Sequence, residues 1–241
     1  MCVFVSVNLR AKFLADRFDV NADVLKDFDP LYNVSAFSHP NLPVITNHFP
    51  DQVQLSKWGL IPFWVKDEET ANKLSNNTVN ARAETLGEKA SFRVPFKNKR
   101  CIIPIDGFFE FQEINKKKYP YFIKLKDEQA FGLAGLFDTW ENRVTGEIIN
   151  SFSVITTTAN PLMEKIHNRK KRMPVILEPG KEKLWLNNDI GADTLNKFLI
   201  PFDENKMTAF TVQKILTKRD GTNNVPESQK AFSYPEISGL F

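Results

Sequence analysis

Between residues 42 and 159 the sequence repeats one pattern, a short run of apolar, β-branched or aromatic residues followed by a break. LPVITN (42–47), QLSKWGLIPFW (54–64), RCIIPIDGFFEFQ (100–112), YPYFIKL (119–125), AFGLAGLFDTW (130–140) and NSFSVITTTA (150–159) all fit it. Such runs, bounded by Gly, Pro, Asn or Asp, read as strands. MPVIL (173–177) and MTAFTVQ (207–213) continue the series. Helical signals are fewer. Residues 12–29 read as short helices that end at Pro30, and Asn160-Pro161 is a cap and first-turn pair leading into PLMEKIH. KEKLWL and ADTLNKFL follow the break at Pro179-Gly180. The series predicts an α+β fold, a mostly antiparallel, barrel-like or sandwich-like sheet with peripheral short helices. The polar, Gly- and Asn-rich tail from about residue 218 reads as loop.

No internal repeat, low-complexity tract or Gly/Ser linker divides the 241 residues, so one domain is the simpler organisation. Hydrophobic residues make up 42% of the chain, and 21 Phe against 4 Tyr predict a core packed with phenylalanine. Two cysteines without a CxxC pair offer neither a disulfide framework nor a zinc spacing. The three histidines add no ligand spacing, so no metal or cofactor is expected. The opening VFVSV is too short for a signal peptide or a membrane span, which puts the expected location in the cytoplasm or nucleoid. Net charge is only +3, but Lys97, Lys99 and Arg100, then Lys116 to Lys118, then Arg169 to Arg172 form local basic runs. Each alone reads as a solvated loop; together they leave room for a phosphate-binding face.

Three stretches carry polar residues that a purely structural account does not require. NARAET (80–85) groups Asn80, Arg82 and Glu84, and by itself reads as a helix cap with a salt bridge. In PIDGFFEF (104–111), Asp106-Gly107 is a hairpin-type turn signal, and alternation puts Glu110 on one face with Phe108 and opposite Phe109 and Phe111. A carboxylate against apolar surface has a raised pKa suited to proton transfer; one on an edge strand points to water, and the segment alone does not choose. In ANPLMEKIHNRKKRMPVIL, His167 closes a short helix beside a cluster of positive charge, placed either as an acid or base near neutral pH or as a helix-terminal partner of the last carbonyls.

Cys2 adds a fourth feature. Once the initiator methionine is removed, its thiol and its α-amine sit on adjacent carbons, a 1,2-aminothiol that few other positions could provide.

Taken in chain order, Cys2, WGLIPFW (Trp58 to Trp64), NARAET, the CIIPIDGFFEF strand, the TTxAN stretch ending at Asn160, His167 and RMPVIL (Arg172 to Leu177) resemble the SOS response-associated peptidase (SRAP) family, across roughly residues 2 to 180. The resemblance implies the SRAP fold and a monomeric protein of the DNA damage response that binds single-stranded DNA and crosslinks itself to abasic sites. It implies Cys2 as the nucleophile, Asn80 and Arg82 as the groups that position the lesion and its phosphates, and Glu110 with His167 as the acid/base pair. The peptidase of the family name has removal of the protein's own Met1 as its best-supported instance. Trp58 and Trp64 are candidates to stack on flanking bases, with a core position as the alternative for each, and Arg169 and Arg172 are candidates for the phosphates. The family usually begins Met-Cys-Gly-Arg, where this chain has Val3 and Phe4. It usually sets Arg-Met-Pro close behind the histidine, where here Asn168 to Lys171 intervene, and Arg169, Lys170 or Lys171 could supply a replacement phosphate contact.

The chemistry of an aminothiol fits that implication. An open abasic deoxyribose is an aldehyde, and an α-amine with a pKa near 8 is partly neutral at physiological pH and attacks it to form a Schiff base. The neighbouring thiol then adds to the imine carbon and closes a thiazolidine. With Met1 in place there is no free amine, so its removal, by the protein itself or by a methionine aminopeptidase, is a prerequisite. Two other classes stay open at this point: a thiol peptidase acting in trans with His167 as base, and a non-catalytic single-strand binder.

Overall fold

A computed structural model describes residues 2–214 and 224–237. The part of the tail at 218–223 and 238–241 lies outside the described residues. Five strands form an antiparallel open sheet in the order β12-β8-β7-β1-β2: β1 (Phe4–Val7), β2 (Leu31–Ser35), β7 (Gly107–Ile114), β8 (Lys117–Leu125) and β12 (Met207–Thr211). The second sheet closes on itself. Its ring runs β10 (Ile148–Thr158), β4 (Phe49–Trp58), β3 (Asn41–Thr46), β6 (Arg100–Ile105), β9 (Phe131–Glu141) and back to β10, antiparallel except where β10 runs parallel to β4. Two short strands extend β10 beyond the ring, β5 (Asn80–Arg82) in parallel and β11 (Arg172–Pro174) in antiparallel. The expected α+β class with a mostly antiparallel, barrel-like sheet is the one observed.

The apolar runs divide by face. Val5, Phe108 and Ile123 of the open sheet pack against Leu42, Ile103 and Phe152 of the ring in one core. A second core lies on the other side of the ring, under α1 (Ala11–Phe18) and α5 (Glu182–Leu186), with Leu14, Phe18 and Trp185 against Ile45 and Ile102. Phe4, Phe109 and Phe122 form a third cluster on the outer face of the open sheet. VFVSV, unremarkable as a leader, is thus a central strand, buried on both faces along Phe4–Val7. That double burial is why it reads as a continuous apolar run rather than an alternating one.

Two expectations are corrected here. RCIIPIDGFFEFQ is two strands in different sheets, and Asp106-Gly107 is the corner between them rather than a hairpin turn. The Asp106 carboxylate pins the corner by accepting from the Asn8 amide (2.9 Å) and the Gln229 side chain (3.0 Å). Gly107 is required because a Cβ there would stand 2.2 Å from the Phe122 ring. QLSKWGLIPFW also breaks: the strand stops at Trp58, because Gly59 turns with φ +120° and approaches the Ser75 carbonyl so closely that a Cβ would sit 2.7 Å from it. Beyond it the chain is a loop, tied down where Ile61 donates to Ser151 Oγ (2.8 Å) and Phe63 to Asp138 (3.0 Å). Trp58 and Trp64 therefore do not share a strand face.

The remaining helices are α2 (Glu68–Asn77), α3 (Arg93–Asn98), α4 (Pro161–Ile166) and α6 (Ala192–Asn196). Asn160 caps α4 as its sequence suggests, accepting from the Met163 amide at 2.8 Å, while its Nδ2 donates to the Phe202 carbonyl at 2.7 Å. Met163 and Ile166 then face the first core, which leaves His167 at the helix end over the open sheet.

Candidate active site

Four elements bring the polar residues together, β1, β7, β5 and the end of α4. The antiparallel register of β1 on β7 pairs Phe4 with Phe109 and Val5 with Phe108, so continuing it two residues sets Cys2 level with Phe111, beside Glu110. Cys2 is fully buried, and burial first, then the carboxylate of Glu110, push its thiol pKa well up. The third element, β5, follows α2 directly. Thr78 at the helix end donates to the Leu60 carbonyl (2.6 Å), and β5 then runs parallel to β10 with Asn80 beside Val154. Asn80 Nδ2 donates to the Cys2 carbonyl at 2.9 Å and so holds the N-terminal residue in place. Asn80 Oδ1 is buried with no hydrogen-bond partner among the described residues.

Glu110 occupies the face that alternation assigned to it, buried with Phe108 inside while Phe109 lies in the outer cluster. Burial raises its pKa from 4.5 to about 7. His167 is buried as well, and desolvation lowers its pKa from 6.5 to about 4 against the opposing effect of its hydrogen bond to Arg172. Its Nδ1 lies 2.8 Å from the Arg172 carbonyl and 3.7 Å from Glu110 Oε1. A carbonyl only accepts, so Nδ1 carries the proton and Nε2 keeps its lone pair. Near pH 7 the pair thus consists of a carboxyl poised to give a proton and a neutral imidazole able to take one.

The residues inserted after His167 are docked on β7. Asn168 accepts from the Glu113 amide (3.0 Å) and donates to the Glu113 carbonyl (2.8 Å), and Arg169 pairs with the Glu113 carboxylate at 3.1 Å while staying largely exposed. Lys170 is exposed on the same loop, and its charge acts on both Glu110 and His167. Its part was not legible in sequence, since it depends on the loop folding back over β7. Arg82 is exposed one alternation along from Asn80, on the same side of β5.

Several expected residues sit elsewhere or act otherwise. Trp58 cannot stack on a base: it is fully buried, donates from Nε1 to the Val79 carbonyl (2.9 Å) and stacks on Phe152 at 5.9 Å. Trp64 is 41% exposed on the loop after Gly59, outside the buried group. Arg172 is directed inward, bonded to the Glu84 carboxylate and to the Thr156 carbonyl at 2.6 Å. NARAET is accordingly a strand and a short 3-10 turn (Ala83–Thr85), and its salt bridge reaches across the fold to Arg172 rather than capping a helix.

The profile of the SOS response associated peptidase (SRAP) family matches residues 1–219. The chain belongs to that family. Among the relatives of this SRAP protein, "Abasic site processing protein YoqW" of Bacillus subtilis (strain 168) is 42% identical over 203 residues, covering 83% of this chain and 86% of that one. "Abasic site processing protein HMCES" of Xenopus tropicalis is 31% identical over 240 residues, covering 88% and 69%. A crystal structure of a Bacteroides thetaiotaomicron protein superposes with a TM-score of 0.91 at 40% identity, covering 96% of this chain and all (100%) of that one. One of a Bordetella bronchiseptica protein gives 0.77 at 26% identity, with 88% and 100% covered.

Proposed function

We propose that this SRAP protein processes abasic sites in single-stranded DNA by capturing them covalently through Cys2 once Met1 has been removed. The observation that carries the reading is the convergence of four groups on one point, Cys2 held through its carbonyl by Asn80 with Glu110 and His167 beside it. Relatives named for abasic site processing give the substrate class.

The steps follow from the protonation states. The neutral α-amine of Cys2 adds to the C1′ aldehyde of the open sugar, giving a carbinolamine. Glu110, protonated below about 7, delivers a proton to the departing hydroxyl and its carboxylate takes one back from the nitrogen, so that water leaves and a neutral imine forms. The Cys2 thiol adds to the imine carbon, its proton passing to the imine nitrogen by way of His167 Nε2, and the thiazolidine closes. Asn80 Oδ1 is an acceptor for a hydroxyl of the sugar, and holding amine and aldehyde together contributes through proximity. The raised pKa of the buried thiol suits late addition to an imine; it weighs against a thiolate attacking peptides in trans. Every group comes from one chain, so a monomer is sufficient for the reaction. Arg82, Arg169 and Lys170 follow the phosphates and Trp64 stacks on a flanking base.

The test is a denaturing gel of protein whose intact mass confirms loss of Met1, after incubation with a single-stranded oligonucleotide carrying one abasic site. A shifted band that survives denaturation, absent with Cys2→Ala and with a form that retains Met1, is expected. No band from correctly processed protein, or an undiminished band from the form that retains Met1, would overturn the reading.

A further inference from the structure

Glu84 touches none of the four converging groups, yet it is the partner of a guanidinium whose own backbone fixes one of them. Arg172 opens β11, pairing there with Thr158 of β10. Its carbonyl takes the Nδ1 proton of His167 at 2.8 Å, and its side chain runs the other way, to both oxygens of Glu84 and to the Thr156 carbonyl (2.6 Å) and hydroxyl (3.3 Å). Glu84 stands on the 3-10 turn that continues β5, the strand of Asn80 and Arg82. The residue just before Arg172, Lys171, sits in the left-handed region at φ +48°, a conformation that costs a non-glycine residue energy and that surrounding contacts must hold.

We propose that Glu84 is a positioning residue: by clamping the Arg172 side chain it fixes the Arg172 carbonyl against Nδ1 of His167, and so fixes the tautomer that carries its proton on Nδ1. The bidentate fork gives the clamp direction as well as attraction, which a single exposed charge would not. The same contact ties β5 to β11, so the strand that holds Cys2 through Asn80 and the strand that orients His167 are braced against each other on β10. The charges that act on His167 are the chain's amino terminus and, from its own loop, Lys170 and Arg172, with the Glu110 carboxyl of β7 3.7 Å from Nδ1; Glu84 pairs with Arg172, so a change at Glu84 reaches the imidazole by way of Arg172. The inference rests on the acid-base reading of His167 given above.

The experiment is NMR of the full chain labelled with ¹⁵N-histidine, at one pH, with the His167 signals assigned by their loss in His167→Gln. A fixed tautomer gives two well-separated ring nitrogen signals, whereas exchanging tautomers bring them together. In the native chain the His167 pair is expected wide apart, with Nδ1 protonated. Glu84→Ala is expected to draw the two together while His39 and His48 stay put. Arg172→Lys should give the same change, and the double variant should add nothing further. A Glu84→Ala spectrum like that of the native chain would overturn the proposal, and so would full additivity of the two substitutions. Because no DNA is present, failure of the crosslinking reading and failure of the clamp are seen separately.

Discussion

Glu110 Oε1 lies 3.7 Å from Nδ1 of His167, but the Nδ1 proton is directed to the Arg172 carbonyl at 2.8 Å, so the two groups are neighbours without being an ion pair. Burial moves them in opposite directions, Glu110 up from 4.5 to about 7 and His167 down from 6.5 to about 4. Both are therefore neutral over the same interval, the acid holding its proton and the base without one. A salt bridge would put the proton on the wrong partner for that chemistry.

The displacements give a prediction for stability. For Glu110 the folded chain keeps a proton that the unfolded chain releases, so its contribution is complete below 4.5 and is lost as pH rises through about 7. For His167 the unfolded chain binds the proton, so its contribution is complete above 6.5 and is lost as pH falls through about 4. Each full excursion is worth on the order of 3 kcal/mol, and where the two ranges overlap the slopes oppose each other. Urea midpoints should thus vary little between about pH 4.5 and 6.5 on account of these groups, rise with pH in Glu110→Gln and fall with pH in His167→Gln. Identical slopes in all three proteins would show that neither group is displaced.

A second prediction concerns rate. Capture needs a neutral α-amine, whose ordinary pKa is near 8, together with a protonated Glu110. The first fraction grows with pH and the second shrinks above about 7, so the crosslinking rate should be bell-shaped with its maximum between the two values. Glu110→Gln removes the falling limb and should lower the plateau by about a hundredfold or more, the usual size of a general-acid contribution. Single-turnover gels across a pH series measure both.

Much of the frame was legible because burial writes itself into composition: the runs at 42–47, 119–125, 130–140 and 150–159 are strands, and Asn160 caps the helix before His167. What was not legible depends on partners distant in sequence. RCIIPIDGFFEFQ looks like one strand with a turn because nothing local says that Arg100 to Ile105 and Gly107 to Ile114 belong to different sheets. The break after Trp58 is set by the approach of the Ser75 carbonyl to Gly59, and the inward direction of Arg172 by Glu84 and Thr156. At the site, Glu110 could be assigned a face from alternation, whereas the hold of Asn80 on Cys2 needed the register of β5 on β10.

The two tryptophans should separate cleanly. Trp58 is enclosed and hydrogen-bonded, so Trp58→Ala should cost about 3–5 kcal/mol of stability, most of it cavity formation and lost burial. Trp64 is 41% exposed, so Trp64→Ala should stay within about 0.5 kcal/mol in a denaturation curve. The same substitution should weaken binding to undamaged single-stranded DNA by about 1–3 kcal/mol, the contribution of one stacked base. Fluorescence anisotropy of a labelled oligonucleotide reads the binding. Unchanged affinity would remove Trp64 from the DNA path.

Asn80 offers the sharpest division between holding the nucleophile and holding the DNA. Its Nδ2 donates to the Cys2 carbonyl at 2.9 Å in a buried setting, so Asn80→Ala leaves that carbonyl without its donor and should cost about 1–3 kcal/mol of stability. The larger consequence is kinetic, since the N-terminal residue loses the tether that sets its amine and thiol beside Glu110 and His167. Crosslinking at saturating DNA should slow by at least an order of magnitude, in the range that loss of orientation produces, while affinity for an undamaged strand stays the same. Asn80→Asp should be slower still, because it removes the donor and sets a carboxylate oxygen against the Cys2 carbonyl oxygen, two acceptors that repel each other. A variant that lost affinity in proportion to rate would instead make Asn80 a DNA contact. The position of Cys2 would then have to be held by the β1 pairing alone.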